Sequence, residues 1–325
     1  MAASYPQPGP RAIVTGGVGF LGSRLCERLV ARGFRVACVD NFSTGSPANL
    51  SHLAASPLFT LISRDVTEGP AVEGPAEYVF HLASPASPAD YLRLPVQTLK
   101  AGSIGTINAL ELAKDTGARF VLASSSEVYG EPLQHPQQET YRGNVSTVGP
   151  RSCYDEAKRF AEAAAAAYSR AYGVSAAIAR IFNTYGPRMR PGDGRAVPTF
   201  IRQALAGEPV TVTGNGQQTR SLCYVDDTID GILALAASSH TGPVNIGSDH
   251  EMTVLQIAGL ILGITGSASP VSFIPRPADD PSRRQPDVGL AHDLLRWRAT
   301  VSPEDGLRQT ISWFRTQENA RHSRN

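Results

Sequence analysis

One stretch, "AIVTGGVGFLGSRLCERLVARGFRVACVD" at residues 12–40, constrains the fold more than any other. It opens on an apolar, β-branched run that reads as a buried strand. A glycine-rich turn follows, and the apolar positions after Phe20 recur with helical spacing up to Gly33. "FRVACVD" is a second strand. Two strands joined through a helix lie parallel, and such crossovers are right-handed.

The pattern recurs. "LFTLISRDV" reads as the third strand, and "EYVFHLAS" as the fourth, followed by a helix through "VQTLKAGSIGTINALELAKDTG". "RFVLASSS" is the fifth, "YDEAKRFAEAAAAAYSRAYG" a long alanine-rich helix, and "SAAIARIFN" the sixth. This alternation specifies an α/β fold, a doubly wound parallel (Rossmann) sheet with helices on both faces. After residue 186 glycine and proline become frequent ("YGPRMRPGDGRAVP", "IPRPADDPSRRQP"), and short helices and strands alternate. We expect residues 11–186 to form a dinucleotide-binding domain that carries the reacting residues. Residues 187–316 then form a smaller mixed α/β substrate lobe, interleaved with the sixth-strand region, and residues 1–10 and 317–325 are disordered tails. The alanine run suits close helix packing, including packing against a second subunit.

Composition excludes some classes. The formal net charge is +1, so no bulk electrostatic argument favours nucleic acid or an anionic membrane. No apolar run reaches the ~20 residues of a membrane span, and "MAASYPQPGPR" lacks the apolar core of a signal peptide. The four cysteines are scattered, which suits a reducing, cytoplasmic setting, and neither they nor the seven histidines have metal-ligand spacing, so no metal is expected. Only three of the 30 basic residues are lysine: Lys100, Lys114 and Lys158.

"TGGVGFLG" places Gly16, Gly19 and Gly22 in a GxxGxxG spacing between the first strand and its helix. The first glycine allows the turn, the second lets backbone approach a pyrophosphate, and the third lets helix and strand pack. A tight turn without a ligand is the plain alternative. Asp40 ends the second strand, where a carboxylate accepts bonds from an adenosine ribose and repels a 2′-phosphate, which favours NAD over NADP. Asp65 ends the third strand, where it and Val66 could bracket an adenine or Asp65 could cap a turn.

"YDEAK" sets Tyr154 and Lys158 on one side of a helix. An ammonium near a phenol favours the phenolate and makes a general base. With 10 tyrosines and three lysines the spacing arises by chance roughly 0.09 times. A packing tyrosine beside a solvated lysine is the alternative. Ser124, Ser125 and Ser126 end the fifth strand, and one of them can bond the hydroxyl being oxidised. Glu127 follows them, where open α/β sheets place their ligands. A surface carboxylate at a strand end is its plain alternative.

Together these features resemble the extended short-chain dehydrogenase/reductases, and within them the UDP-glucuronate decarboxylase (UDP-xylose synthase) family. The likeness runs from about Arg11 to Phe314 and is carried by "HLASPASPADY", "SSSEVYG", "GPRSCYDEAKR", "RIFNTYGPRM", "GNGQQTRSLCYVDD" and "RRQPD". Related 4,6-dehydratases have Asp where this chain has Ser126, and 4-epimerases usually lack a carboxylate at Glu127. Val18 and Ala157 depart from the Ala and Gly common in the family.

The resemblance implies NAD as a recycled hydride carrier. Oxidation at sugar C4, with Tyr154 taking the hydroxyl proton, gives a ketone β to the carboxylate; CO2 leaves, C5 is protonated and the hydride returns, giving UDP-xylose. It implies catalytic roles for Tyr154, Lys158, Ser126, Glu127 and Arg284, with Arg284 on the substrate carboxylate. Beside Gly16, Gly19, Gly22, Asp40, Asp65 and Val66, it puts Phe20, Leu21, Asn41, Phe42, Thr44, Gly45, Leu82, Ala83, Ser84, Thr184 and Arg195 near the cofactor, along with Tyr154 and Lys158. Pro85, Tyr91, Lys100, Ser126, Glu127, Asn183, Arg188, Val197, Arg220, Tyr224 and Arg284 are its substrate contacts, although a solvated charge is the bland reading of each arginine. The helices containing "KRFAEAAAAAYSRAYG" and "GTINALELAK" have small apolar faces, and paired about a two-fold they would make the four-helix bundle of a homodimer, as such enzymes commonly do. Another nucleotide-sugar epimerase or 4-keto-sugar enzyme, release of the 4-keto pentose, and a non-catalytic NAD-sensing protein on the same fold are the competing readings.

Overall fold

The computed structural model describes residues 9–69 and 72–322. The strands expected from the pattern are β1 (Arg11–Thr15), β2 (Arg35–Asp40), β3 (Phe59–Ser63), β4 (Tyr78–His81), β5 (Arg119–Ser125) and β6 (Ala176–Ile181). Between them run α1 (Phe20–Ala31), α2 (Pro88–Arg93), α3 (Pro95–Lys100), α4 (Thr106–Thr116) and α5 (Ser152–Tyr172). The later half adds β7 (Thr184–Tyr185), α6 (Ala196–Leu205), β8 (Val210–Thr213), β9 (Thr219–Ser221), β10 (Cys223–Tyr224), α7 (Val225–Ala237), β11 (Gly242–Ile246), β12 (Glu251–Thr253), α8 (Val254–Thr265), β13 (Val271–Ile274), α9 (Gly289–Leu295) and α10 (Pro303–His322).

The main sheet has the order β11-β6-β5-β4-β1-β2-β3, every pair parallel. Its seventh strand, β11, comes from beyond residue 186 and pairs with β6, so the later half of the chain completes the sheet begun by the first. Strand order reverses between β1 and β4, and this opens a crevice at their carboxyl ends. Apolar side chains cover both faces. One cluster joins β1 to α1, α7 and α8 through Leu25, Ile232 and Ile257. The other seats Leu110 of α4 and Ala161 and Ala165 of α5 against Phe120 and Ile178.

Two expectations need correction. The helix expected across residues 96–117 is broken into α3, one wide π-type turn at Ala101–Gly105, and α4. Gly102 and Gly105 weaken the helix there, and both are needed small: a Cβ on Gly102 would meet Ala157 of α5, and one on Gly105 would meet Val66. Gly102 thus makes the room that Ala157 takes up. The closing helix α10 continues to His322 through part of the expected disordered tail, while residues 1–8 and 323–325 lie outside the described residues.

Candidate active site

A cavity of about 550 Å³ runs along the carboxyl ends of the strands, from the glycine turn after β1 to the end of β5. At its reacting end Tyr154 and Lys158 come from the first turns of α5, and both are buried. Of the three serines, Ser125 is the one whose hydroxyl acts on the Tyr154 phenol, and its Oγ also accepts from Glu127 N at 3.2 Å. Ser126 lines the cavity one residue on, and Ser124 is turned away to donate to Glu162.

The expected lowering of the phenol pKa by the lysine is overturned. Burial pushes Tyr154 up to about 12, and the Ser125 hydroxyl opposes that rise. Lys158 Nζ donates to the Ala123 carbonyl at 2.8 Å and sits 5.6 Å from the Tyr154 ring centroid, over its face. Burial draws the ammonium itself down to about 8.

Glu127 starts the short turn Ser126–Tyr129 that ends β5. Its side chain is 20% exposed and lines the cavity. Oε2 accepts from Arg284 Nη2 and pairs with Arg151 Nη2, both at 2.8 Å. Burial favours the neutral acid, but the charges of Arg284, Arg151 and Arg220 win and hold Glu127 at about 2. It is a carboxylate at neutral pH.

At the other end, Asp40 accepts from Val18 N at 3.1 Å and Phe42 N at 2.9 Å, so it braces the glycine turn as well as facing the cavity. Asp65 is the structural cap that was one of its two readings: it accepts from Thr67 N and from Asn41 Nδ2. It also lines the cavity, and the Lys100 charge reaches it, which places Lys100 in this half rather than beside the reacting tyrosine.

Residues 12–247 match the NAD dependent epimerase/dehydratase family. The chain belongs to that family. It is 48% identical over 307 residues to UDP-glucuronic acid decarboxylase 1 of Arabidopsis thaliana, covering 94% of this chain and 70% of that protein. UDP-glucuronic acid decarboxylase 3 of the same plant is 45% identical, over 98% of this chain and 92% of its own. Among solved structures, UDP-glucuronic acid 4-epimerase from Bacillus cereus, in complex with UDP-glucuronic acid and NAD, superposes with a TM-score of 0.84 at 27% identity, over 94% of this chain and 99% of that one.

The residues present fit the family's NAD. A Cβ on Gly16 would run into the backbone of Ala83, and one on Gly22 into Gly16 itself, so the cradle tolerates no side chain there. Helix α1 has no capping side chain and no acid in its first turn, so its N-terminal N–H groups and dipole remain available to a pyrophosphate. Phe20, Leu21, Asn41, Thr44, Gly45, Val66, Leu82, Ala83, Ser84, Thr184 and Arg195 all line the cavity, as do Pro85, Tyr91, Asn183 and Arg188. Arg188 is tied to Glu27 of α1 at 2.6 Å, on the side of the glycine turn.

Five expected contacts lie off the cavity wall. Phe42 packs its ring against the core, and only its N–H serves the site, through Asp40. Val197 is buried among the apolar side chains of α6. Tyr224 packs edge-on against Tyr185 and donates to Gln309. Arg220 donates to Asp280 and Thr219 O. Arg284, 1% exposed, uses Nη1 on Gly130 O and Nη2 on Glu127, so it is spent on protein groups behind the glutamate. Among the wall residues that the sequence did not single out, Arg151 is the one that pairs with Glu127. The signal was its place three residues before Tyr154, but one arginine among 27 does not stand out.

Proposed function

We propose that this protein converts UDP-glucuronate to UDP-xylose and CO2 through a 4-keto intermediate. The observation that carries the reading is Glu127, a carboxylate fixed by two guanidiniums on the wall that also bears Tyr154, with Ser126 where elimination of water would need an acid. NAD, when bound, would supply the hydride acceptor for C4 and a positive charge.

Ser125 would orient the C4 hydroxyl, and Tyr154 takes its proton only as the phenolate, a form that the Lys158 ammonium and the charge of bound NAD would favour against the effect of burial. Tyr154 then keeps that proton, because its burial disfavours the phenolate, and donates to the C4 oxygen while electrons from the lost carboxylate collect there. Lys158 holds the tyrosine's surroundings through Ala123 O and adds positive charge below pH 8. Glu127, ionised at neutral pH, would act as a base on a water molecule, whose proton goes to C5 as the enolate collapses; Tyr154 returns its proton to the C4 oxygen when the hydride comes back. A neighbouring anion also disfavours the bound uronate more than the neutral CO2 that leaves.

The unpaired, buried cysteines are consistent with the cytoplasm, and among the described residues no helix is long and apolar enough to cross a membrane. The protein acts as a homodimer: Val96 and Leu99 of α3, Ile104 of the wide turn and Phe160 of α5 are exposed apolar side chains on neighbouring elements. Paired about a two-fold, these helices form a four-helix bundle. Incubation with UDP-glucuronate and NAD, read by CO2 release and product mass, tests the function. Unchanged substrate, or a C4 epimer without loss of 44 Da, roughly the mass of CO2, rejects it.

A further inference from the structure

We infer that Arg151, with Tyr91 beside it, is the group that recognises the substrate's carboxylate and so selects uronates over neutral hexoses. The inference rests on the proposed function and deepens it.

Arg151 immediately precedes α5, which fixes it close to Tyr154. Its side chain is 13% exposed and lines the cavity. Nη2 is occupied by Glu127, yet Nε is buried and has no hydrogen-bond partner. The Tyr91 hydroxyl is in the same position: the residue is 1% exposed, lines the cavity and leaves its oxygen unpartnered. The Tyr91 ring stacks on Tyr154 with centroids 5.1 Å apart, and the Arg151 guanidinium lies 5.7 Å from the Tyr91 centroid. Two buried donors without acceptors thus belong to side chains that pack on one another and, through the Tyr91 ring, on the ring of the reacting phenol.

A buried donor left without an acceptor costs ~1–3 kcal/mol, more for a charged group. An acceptor bearing negative charge relieves both donors at once, and a guanidinium fork suits a carboxylate better than a hydroxyl. A hexose, with CH2OH in place of the carboxylate, leaves the charged donor poorly matched, and a site built for one polar group rejects the analogue lacking it. Arg284 cannot take this role as it stands, since Gly130 O and Glu127 hold its fork and it does not reach the wall. Its position assigns it to holding Glu127.

The test compares binding of UDP-glucuronate and UDP-glucose by calorimetry with NAD present. Each variant is placed in a Tyr154→Phe background so that nothing turns over. The parent should prefer the uronate by ~30-fold or more. Arg151→Gln should bring the preference to within ~3-fold, by weakening the uronate and leaving UDP-glucose and NAD unchanged; Arg151→Lys should fall between. Tyr91→Phe should lower the preference by a few-fold. Arg284→Gln should keep it. Equal weakening of both sugars by Arg151→Gln would mean that it only supports Glu127, and retained preference would mean that another group reads the carboxylate; either overturns the inference while the function stands. Loss of preference in Arg284→Gln alone overturns it too. A parent that does not prefer the uronate removes both this inference and the proposed function.

Discussion

Arg284 Nη2 donates to Glu127 Oε2 at 2.8 Å, joining side chains 157 residues apart. The arginine is almost fully buried and the glutamate faces the cavity, so the bond runs from the protein interior to the reaction site. It makes the orientation and charge of Glu127 depend on a loop far along the chain. Arg284→Ala should leave Gly130 O without its donor and Glu127 with Arg151 as its partner, and lower stability by ~1–3 kcal/mol. Denaturant unfolding with and without NAD checks this. A variant as stable as the parent would mean that the pair is dispensable to the fold.

Glu127→Gln keeps the shape and removes the charge. Turnover should fall ~10²-fold or more, the scale of a lost acid–base group. NAD binding should persist, because the glycine turn lies at the other end of the cavity. Steady-state CO2 release is the measurement. A change of only a few-fold would reduce Glu127 to a strand-end carboxylate.

Tyr154→Phe should stop the first oxidation, so no NADH band should develop on mixing with UDP-glucuronate. Glu127→Gln, by contrast, should still allow some NADH to accumulate, since it acts after C4 is oxidised. A transient at the NADH absorbance separates the two. Normal NADH formation by the phenylalanine variant would take Tyr154 out of the chemistry.

The contrast between these residues shows what a sequence makes legible. The glycine turn, Asp40, Tyr154, Lys158 and Glu127 are legible because each rests on local spacing: a strand end, a turn, one helical step. The parallel sheet is legible for the same reason, strand by strand. The approach of Arg284 is not. Its partner is distant in sequence, and nothing in "RRQPD" says from which side of Glu127 it comes. Whether Ser124, Ser125 or Ser126 meets the phenol depends on the twist of β5, which three equal residues do not encode. The electrostatic balance at Tyr154 is hidden too, since helical spacing brings Lys158 near but says nothing of burial, and burial decides the direction.

Asp40 faces the cavity while bonded to Val18 N and Phe42 N, and a carboxylate has lone pairs left for a ribose. The protein should prefer NAD to NADP by at least ~10-fold. Asp40→Ala should narrow that preference and weaken NAD as well, because the turn loses its brace. Trp313 lines the cavity and gives a fluorescence signal for titration with NADH and NADPH. Equal affinities in the parent would remove Asp40 from cofactor selection.

The exposed apolar side chains of α3 and α5 predict a particle of twice the 34.5 kDa chain mass. Leu99→Glu with Phe160→Glu should give monomers, since like charges would be brought together across the two-fold. Sedimentation at micromolar concentration reads both. A monomeric parent would rule out the helix-bundle dimer.

Lys158 gives the pH prediction. The residue is 7% exposed, and burial lowers its pKa from 10.5 to about 8. Between these values the unfolded chain binds more protons than the folded one, so this group makes stability rise with pH across that window. Below pH 8 the folded state carries the full burden of the buried charge, ~3 kcal/mol. Lys158→Met keeps the length and removes the charge, but leaves Ala123 O without its donor, at ~1 kcal/mol. The variant should therefore be nearly inactive yet melt higher than the parent at pH 7, with the gap closing as pH rises from 8 to 10.5. Thermal unfolding at pH 7 and pH 10 decides it. A methionine variant that melts lower at pH 7 would show that the Ala123 bond and the nearby Glu162 charge outweigh the burial of the ammonium.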